Sequence, residues 1–337
     1  MLKGITVGCG YFGNIQLEAW DRIGEVNISG VVDKDEERAE KVAEKYDCSP
    51  YLDYKDAVEV ESPDFVDIAT RPDSHLEIAR FSASAGCDVL CQKPIAPNWK
   101  DSKKLVKACE DVRLMINENW RWQPWYQKIR ELIDSGVIGE IHTVTILRHE
   151  DDALRDPPFP DQPYFLEMEP FLLIESVIHQ IDVTRFLGGS IREVFCDTRR
   201  VSGVTEGEDS VTVHLKLEGG KRGMIYSTRA SEPDVEDPLC DYARIEGMAG
   251  FIRLERDGTI TVKSLFESDY EVDYEVPKRG YRGASCEMAQ KSFVNSIISG
   301  DRFETPGENY LDQVMKTVFA GYESSKQRKA IRLEKWE

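Results

Sequence analysis

Gly4-Ile5-Thr6-Val7-Gly8-Cys9-Gly10-Tyr11-Phe12-Gly13-Asn14 is the stretch that decides how this chain is read. A short strand-like run ends at Val7, a Gly-x-Gly-x-x-Gly pattern follows at once, and helical periodicity runs from Asn14 to Ile23. Strand, glycine turn and helix in that order give a common glycine pattern its force. The first glycine permits the tight turn, the second lets backbone approach a pyrophosphate, and the third lets helix and strand close up. The helix start then offers N–H groups and a positive dipole end to phosphates. Gly8, Gly10, Tyr11, Phe12 and Gly13 are therefore candidate contacts for a dinucleotide. Asp33 ends the next predicted strand, 20 residues past Gly13. A carboxylate there accepts from ribose hydroxyls and repels a 2′-phosphate, so NAD is expected over NADP. Asp35 is available to cap the following helix, and Lys34 is the neighbouring cation that could meet a phosphate.

Outward from this turn, strands and helices alternate to about residue 120. Val26–Val32, Phe65–Ala69, Val89–Cys91 and Leu114–Ile116 read as strands. Helical stretches over 36–46, 74–85 and 99–110 lie between them. This alternation predicts a Rossmann domain over 1–122, α/β with a doubly wound parallel sheet. After a helix over 125–135 the pattern changes to alternating polarity, at 141–148, 210–217, 223–228, 242–246, 251–254, 259–262 and 270–276. Turns such as Glu218-Gly219-Gly220-Lys221 and Asp257-Gly258 separate several of these runs, as hairpins require. The second domain, 123–337, is thus expected to be α+β with one large open antiparallel sheet. Helices over 287–299 and 310–326 close the chain, and they could pack back on the first domain. The segment 155–163, with four prolines, is the loop most suited to a functional task.

Composition narrows the partners. The chain has 337 residues, 41% hydrophobic and 31% charged, enough for two packed cores and unlike a disordered chain. A net charge of -19 argues against nucleic acid or an anionic membrane as partner. The start runs straight into a strand without a signal-peptide core, and no apolar run approaches the ~20 residues of a membrane span. Eight scattered cysteines without a CxxC pair suit reduced thiols in a cytoplasmic protein better than zinc or disulfides, and no metal is expected.

Two further segments carry chemistry. Gln92-Lys93-Pro94 follows a strand, so Lys93 stands at the carboxyl edge of the sheet, where doubly wound folds bind ligands. Glu175 and His179 are four apart on a predicted helix, with Asp182 alongside. With the glycine loop, these residues resemble the GFO/IDH/MocA family of NAD(P)-dependent oxidoreductases over nearly the whole chain. Its strand-end Glu-Lys-Pro corresponds to Gln92-Lys93-Pro94, and its Asp-x-x-x-His-x-x-Asp helix motif to Glu175, His179 and Asp182. Its threonine and later histidine correspond to Thr70 and His75. Gln92 in place of glutamate and Glu175 in place of aspartate are departures. Within the family, 91–97, 118–123, 162–165 and 207–209 resemble the branch that oxidises the branched-chain aldose D-apiose at its anomeric carbon. The resemblance implies NAD as cofactor, a small sugar as substrate, and a homodimer or homotetramer through the antiparallel sheet. It adds Thr70, His75, Gln92, Lys93 and Asn119 to the expected cofactor contacts.

The chemistry can be argued from the residues. Hydride transfer is the cofactor's work, while the protein places the carbon and removes the hydroxyl proton. His179 has a suitable pKa without tuning, and Lys93 beside a cationic ring could also serve. We assign His179 as acid/base, Lys93 as the cation on the developing alkoxide, and Glu175 as a sugar or Lys93 contact. Asn119, Arg121 and Trp122 lie where the domains join, although Trp120 and Trp122 also suit a core. Arg148, Gln162 and Tyr164 are further candidates for sugar hydroxyls. Competing readings are another polyol, inositol or uronate as substrate, or an NAD(H)-sensing regulator without turnover. A sensor needs neither Lys93 nor His179.

Overall fold

The computed structural model describes residues 1–160, 162–233, 235 and 238–336. The chain forms two compact units, Met1–Gln123 with Pro277–Met315, and Pro124–Val276 with Lys316–Glu337.

The first unit opens with β1 (Leu2–Val7), α1 (Tyr11–Trp20), β2 (Val26–Val32) and α2 (Glu36–Tyr46). It continues through β3 (Ser49–Tyr51), α3 (Tyr54–Glu61), β4 (Phe65–Ile68) and α4 (Pro72–Ser84). Then come β5 (Asp88–Gln92), α5 (Trp99–Ala108) and β6 (Leu114–Asn117). The sheet order is β3-β2-β1-β4-β5-β6, all parallel. Successive strands run outward in opposite directions from β1, so a ligand crevice opens beyond the carboxyl ends of β1 and β4. α2 begins where Asp35 accepts the Arg38 N–H at 3.1 Å, the cap expected of it. All four β4 residues are buried, as a central parallel strand requires.

Beneath the sheet Trp20, Phe65, Phe293 and Phe303 form an aromatic core, with Phe65 and Phe293 centroids 5.3 Å apart. Gly4 is obligatory here, because a Cβ would sit 2.3 Å from the Phe65 ring. One ionisable group lies beside this core. Asp67 has no exposed surface; Trp20 Nε1 donates to it at 2.7 Å, and the Gln16 amide nitrogen at 2.6 and 2.8 Å. Burial pushes its pKa up to about 7 against the Trp20 hydrogen bond.

The second unit contains α6 (Pro124–Asp134), β7 (Ile141–His149) and α7 (Ile178–Gly188), the last preceded by a π-helical turn, Leu173–Val177. Strands β8 (Ile191–Arg199), β9 (Ser210–Leu217), β10 (Arg222–Thr228) and β11 (Tyr242–Gly247) follow. They are succeeded by β12 (Gly250–Leu254), β13 (Ile260–Ser264) and β14 (Tyr270–Glu271). Helices α8 (Ser285–Ser299) and α9 (Gly307–Tyr310) return to the first unit; α10 (Lys316–Gln327) and β15 (Ile331–Arg332) finish the second. The nine-stranded order is β14-β13-β12-β11-β7-β10-β9-β8-β15. Helices α7 and α10 pack on one face of it, against β7 and β8.

Three details differ from expectation. β7 and β10 pair parallel, so the sheet is mixed although mostly antiparallel. The run 270–276 pairs only at Tyr270–Glu271. β8 carries no clean alternation because its register shifts between Ile191 and Glu193, which moves the buried positions out of phase. Among the described residues, no helix is long and apolar enough to cross a membrane.

Candidate functional site

The glycine loop is built as a close approach of three segments. Gly8 has φ 107°, and a Cβ there would lie 2.7 Å from the Ala69 carbonyl oxygen. A Cβ on Gly13 would meet Gly8 O at 1.9 Å, whereas one on Gly10 would meet nothing within 4 Å. Two glycines therefore lock strand to helix, and the middle one faces open space at the N-terminus of α1, which has no side-chain cap. Asn14 Nδ2 donates to Cys9 O at 2.8 Å and Gly10 O at 2.9 Å, a clamp that the glycine spacing does not reveal. Tyr11 is 66% exposed at the turn, and Phe12 meets Tyr281 edge-on at 5.7 Å. Burial pushes the Cys9 thiol up to about 12, so it is inert here.

Asp33 is fixed by two main-chain donors, Cys9 N at 2.9 Å and Asp35 N at 3.0 Å. Its cation is Arg38, with Nη1 3.4 Å from both carboxylate oxygens, while Lys34 is exposed. The open cradle at Gly10 and the anchored carboxylate 20 residues past Gly13 fit a dinucleotide with a free 2′-hydroxyl.

Further along the sheet edge, His75 departs from its expected role. It has no exposed surface; Nδ1 lies 3.2 Å from the Pro94 and Ile95 carbonyl oxygens, and Nε2 3.0 Å from Thr70 O. Burial pushes its pKa down although the carbonyls favour the cation. His75 thus ties the turn after Lys93 to the end of β4 rather than offering its ring to a ligand. Thr70 Oγ1 accepts from Ser74 at 2.8 Å. Gln92 is buried, and its Oε1 accepts the Lys93 N–H at 2.6 Å.

Asn119 is buried and donates to Ser285 Oγ at 2.9 Å, and Arg121 is buried with Nη1 3.5 Å from Glu304 O. Trp122 is half-buried. Between β6 and this turn sits Glu118, which has no exposed surface and which motif reading passes over as a site residue.

In the second unit Glu175 lies in the π-helical turn, and His179, 7% exposed, in the first turn of α7. Such a turn inserts a residue into the helix and is frequent at functional sites. Ser176 Oγ donates to Glu175 Oε2 at 2.7 Å and accepts from Arg229 Nη2 at 2.7 Å. Asp182 is wholly buried, 3.5 Å from Arg185 Nη1. The helix start is capped from a distance: Glu208 accepts the N–H groups of Phe171 at 3.2 Å and Leu173 at 2.9 Å, and the Tyr322 hydroxyl at 2.7 Å. Gly207 precedes it because a Cβ there would be 2.6 Å from Met168 O.

Arg148 also differs from expectation. It is buried and pairs with Asp241 at 2.8 Å and with Glu150. Burial disfavours the guanidinium, but these carboxylates outweigh it and hold Arg148 firmly charged. Arg229 meets Asp152 at 2.8 Å and Glu150, so an ionic chain, half-buried at Glu150 and Asp152 and buried at its other members, runs from Asp241 to Ser176 beside Glu175. Arg148 is thereby a framework residue, and Glu150, Asp152, Ser176, Arg229 and Asp241 are members that sequence spacing could not reveal. In the proline-rich segment Gln162 donates to Tyr164 Oη at 3.0 Å, with Tyr164 46% exposed; Asp161 lies outside the described residues. Phe159, Phe165 and Phe171 anchor this segment through edge-to-face and tilted contacts, 4.9–5.8 Å apart. Among the described residues, no group of three or more His, Cys, Asp or Glu is placed to hold a metal ion.

A parallel doubly wound unit with this cradle defines the class, a dinucleotide-binding protein. Residues 3–119 match the model of the oxidoreductase family with an NAD-binding Rossmann fold, and 126–253 match the GFO/IDH/MocA C-terminal domain. A D-apiose dehydrogenase of Rhizobium rhizogenes is 33% identical over 96% of this chain and 95% of its own. One from Paraburkholderia graminis is 30% identical, covering 99% and 90%. The crystal structure of an oxidoreductase from Agrobacterium radiobacter, in complex with NAD+, L-tartaric acid and magnesium, superposes with a TM-score of 0.92 at 28% identity, over 99% of this chain and 98% of that one. This chain belongs to the GFO/IDH/MocA family and is an NAD-dependent oxidoreductase acting on CH–OH groups.

Proposed function

We propose that this protein is a sugar dehydrogenase whose substrate is D-apiose or a closely related aldose. The observation that carries the reading is similarity to two D-apiose dehydrogenases over nearly the full length of all three chains. NAD would supply the hydride acceptor. The first unit holds it with Gly8, Gly10, Tyr11, Phe12, Gly13, Asp33 and Thr70, while Gln92 and His75 set the main chain around Lys93. His179 takes the hydroxyl proton, Lys93 steadies the oxygen as negative charge develops, and Glu175 receives a sugar hydroxyl. Gln162 and Tyr164 supply outer contacts, and Asn119, Arg121 and Trp122 line the edge of the site. The second unit, Pro124–Val276 with Lys316–Glu337, serves as the substrate domain, and the protein works in the cytoplasm.

Within the second unit, the sheet face opposite α7 and α10 carries Phe195 and Met224, each 37% exposed. This exposed apolar surface supports a homodimer or homotetramer that buries the face against another copy.

The test is a panel of D-apiose, other aldoses, inositols and uronates with NAD, read by reduced-nicotinamide absorbance. D-apiose or a near relative should have the highest kcat/KM. Preferential turnover of an inositol or uronate would overturn the substrate assignment, and tight NAD binding without turnover of any sugar would favour a sensor.

A further inference from the structure

Strand register places two charged residues together at the carboxyl edge of the first unit. Gln92 of β5 pairs with Asn117 of β6. Lys93 and Glu118 are therefore the first residues beyond a paired position of these neighbouring strands. Glu118 has no exposed surface. Its Oε1 accepts the Trp120 N–H at 3.2 Å, and its Oε2 the Tyr310 hydroxyl at 2.9 Å. A carboxylate at such depth persists as a charge where cations face it. Burial raises the pKa of Glu118, and the charges of Lys93 and Arg121 act against that rise. Arg121 belongs to the turn after Glu118, so Lys93 is the cation that another strand brings to it.

Position 92 explains why this carboxylate is needed. Gln92 holds the main chain of Lys93 through its 2.6 Å hydrogen bond, but a neutral amide supplies no counter-charge to the ammonium. We propose that Glu118 is the positioning residue and counter-ion for Lys93, the negative charge being supplied from β6 because glutamine occupies the position before Lys93 on β5. The proposal rests on the reading of Lys93 as the cation at the reacting oxygen. It makes Glu118 and position 92 alternative seats for one carboxylate.

The experiment compares wild type with Glu118→Gln, Lys93→Met, Glu118→Gln/Gln92→Glu and Lys93→Met/Glu118→Gln. It measures kcat and KM with the best sugar of the panel, NAD affinity by tryptophan fluorescence, and thermal melting. Glu118→Gln should lower kcat about tenfold or more, with NAD affinity within about twofold of wild type. Gln92→Glu in that background should restore most of the loss, which a purely structural Glu118 would not allow. Melting supplies a readout even where Glu118→Gln folds poorly. Lys93→Met strands the buried carboxylate and should melt lower, and adding Glu118→Gln should recover part of the difference. A kcat within twofold for Glu118→Gln, absence of rescue by Gln92→Glu, or absence of recovery in the double mutant would each overturn the pairing. If Lys93→Met retains wild-type kcat, the role given to Lys93 fails instead, and the melting cycle still decides whether the pair exists.

Discussion

In the first unit, the groups expected to meet the cofactor are aimed by backbone. Glycines 8 and 13 admit contacts that no Cβ would survive, and Asp33 is gripped by two main-chain N–H groups. In the second unit, the helix bearing Glu175 and His179 is aimed by side-chain charge. Glu208 caps it, and the ionic chain from Asp241 to Arg229 ends on Ser176 beside Glu175. Backbone devices are local, spanning a handful of residues, and so they leave a spacing in the sequence. Charge devices join distant positions, as with Arg148 and Asp241, 93 residues apart. The difference predicts how each unit fails when altered.

The largest effect belongs to the helix of the second unit. His179→Ala should reduce kcat ~10²–10⁴-fold, as expected of a general acid/base, with little change in melting temperature. A loss below about tenfold would remove His179 from proton transfer and leave the second unit a binding frame only.

Next comes the frame itself. Asp241→Ala leaves the buried Arg148 without its better-enclosed partner and should destabilise the protein by about 3–5 kcal/mol in urea unfolding. A change under about 1 kcal/mol would mean that the charge network does not hold the second unit together.

Asp67 is a comparable liability in the first unit. Its folded-state pKa, about 7, exceeds its usual 3.8, so the folded state holds the proton more tightly than the unfolded chain does. Stability from this group is complete below about pH 4 and falls as pH rises toward 7, by up to ~4 kcal/mol. Asp67→Asn should flatten this slope, measured as unfolding free energy between pH 5 and about pH 8. An unchanged slope would show that Asp67 is ionised throughout.

The smallest effect sharpens the reading of the cradle. Asp33→Ser removes the carboxylate and frees Arg38, 3.4 Å away, to meet a 2′-phosphate. The NAD/NADP preference in kcat/KM should move toward NADP by roughly 10–100-fold, on the scale of one charged hydrogen bond. A retained NAD preference would place the discrimination elsewhere.

This contrast also explains what could be read from the residues alone. The helix over 36–46 is found with those bounds, because its amphipathic period and the cap at Asp35 are both local. The parallel sheet follows from alternating strands and helices, and the glycine loop and Asp33 from spacing. β8 escapes notice because a bulge interrupts its alternation, and the π-helical turn because one inserted residue leaves no composition signal. His75 and Arg148 are visible as polar residues near a site. Only tertiary contacts, three carbonyl oxygens around one and two carboxylates on the other, show that both are committed to structure. Glu118, beside the Asn119 and Arg121 expected from the motifs, is distinguished by the strand register that sets it next to Lys93, which spacing along the chain does not show.

The Glu208 cap has a kinetic consequence. The amides of Phe171 and Leu173 gain their acceptor only when the chain has reached residue 208, just before β9, so the helix of His179 cannot be finished during synthesis of its own segment. Its first turn must wait for the sheet. In a hydrogen-exchange experiment these amides should gain protection together with β9 rather than with the body of α7, which makes readiness for chemistry a late event in the maturation of the enzyme.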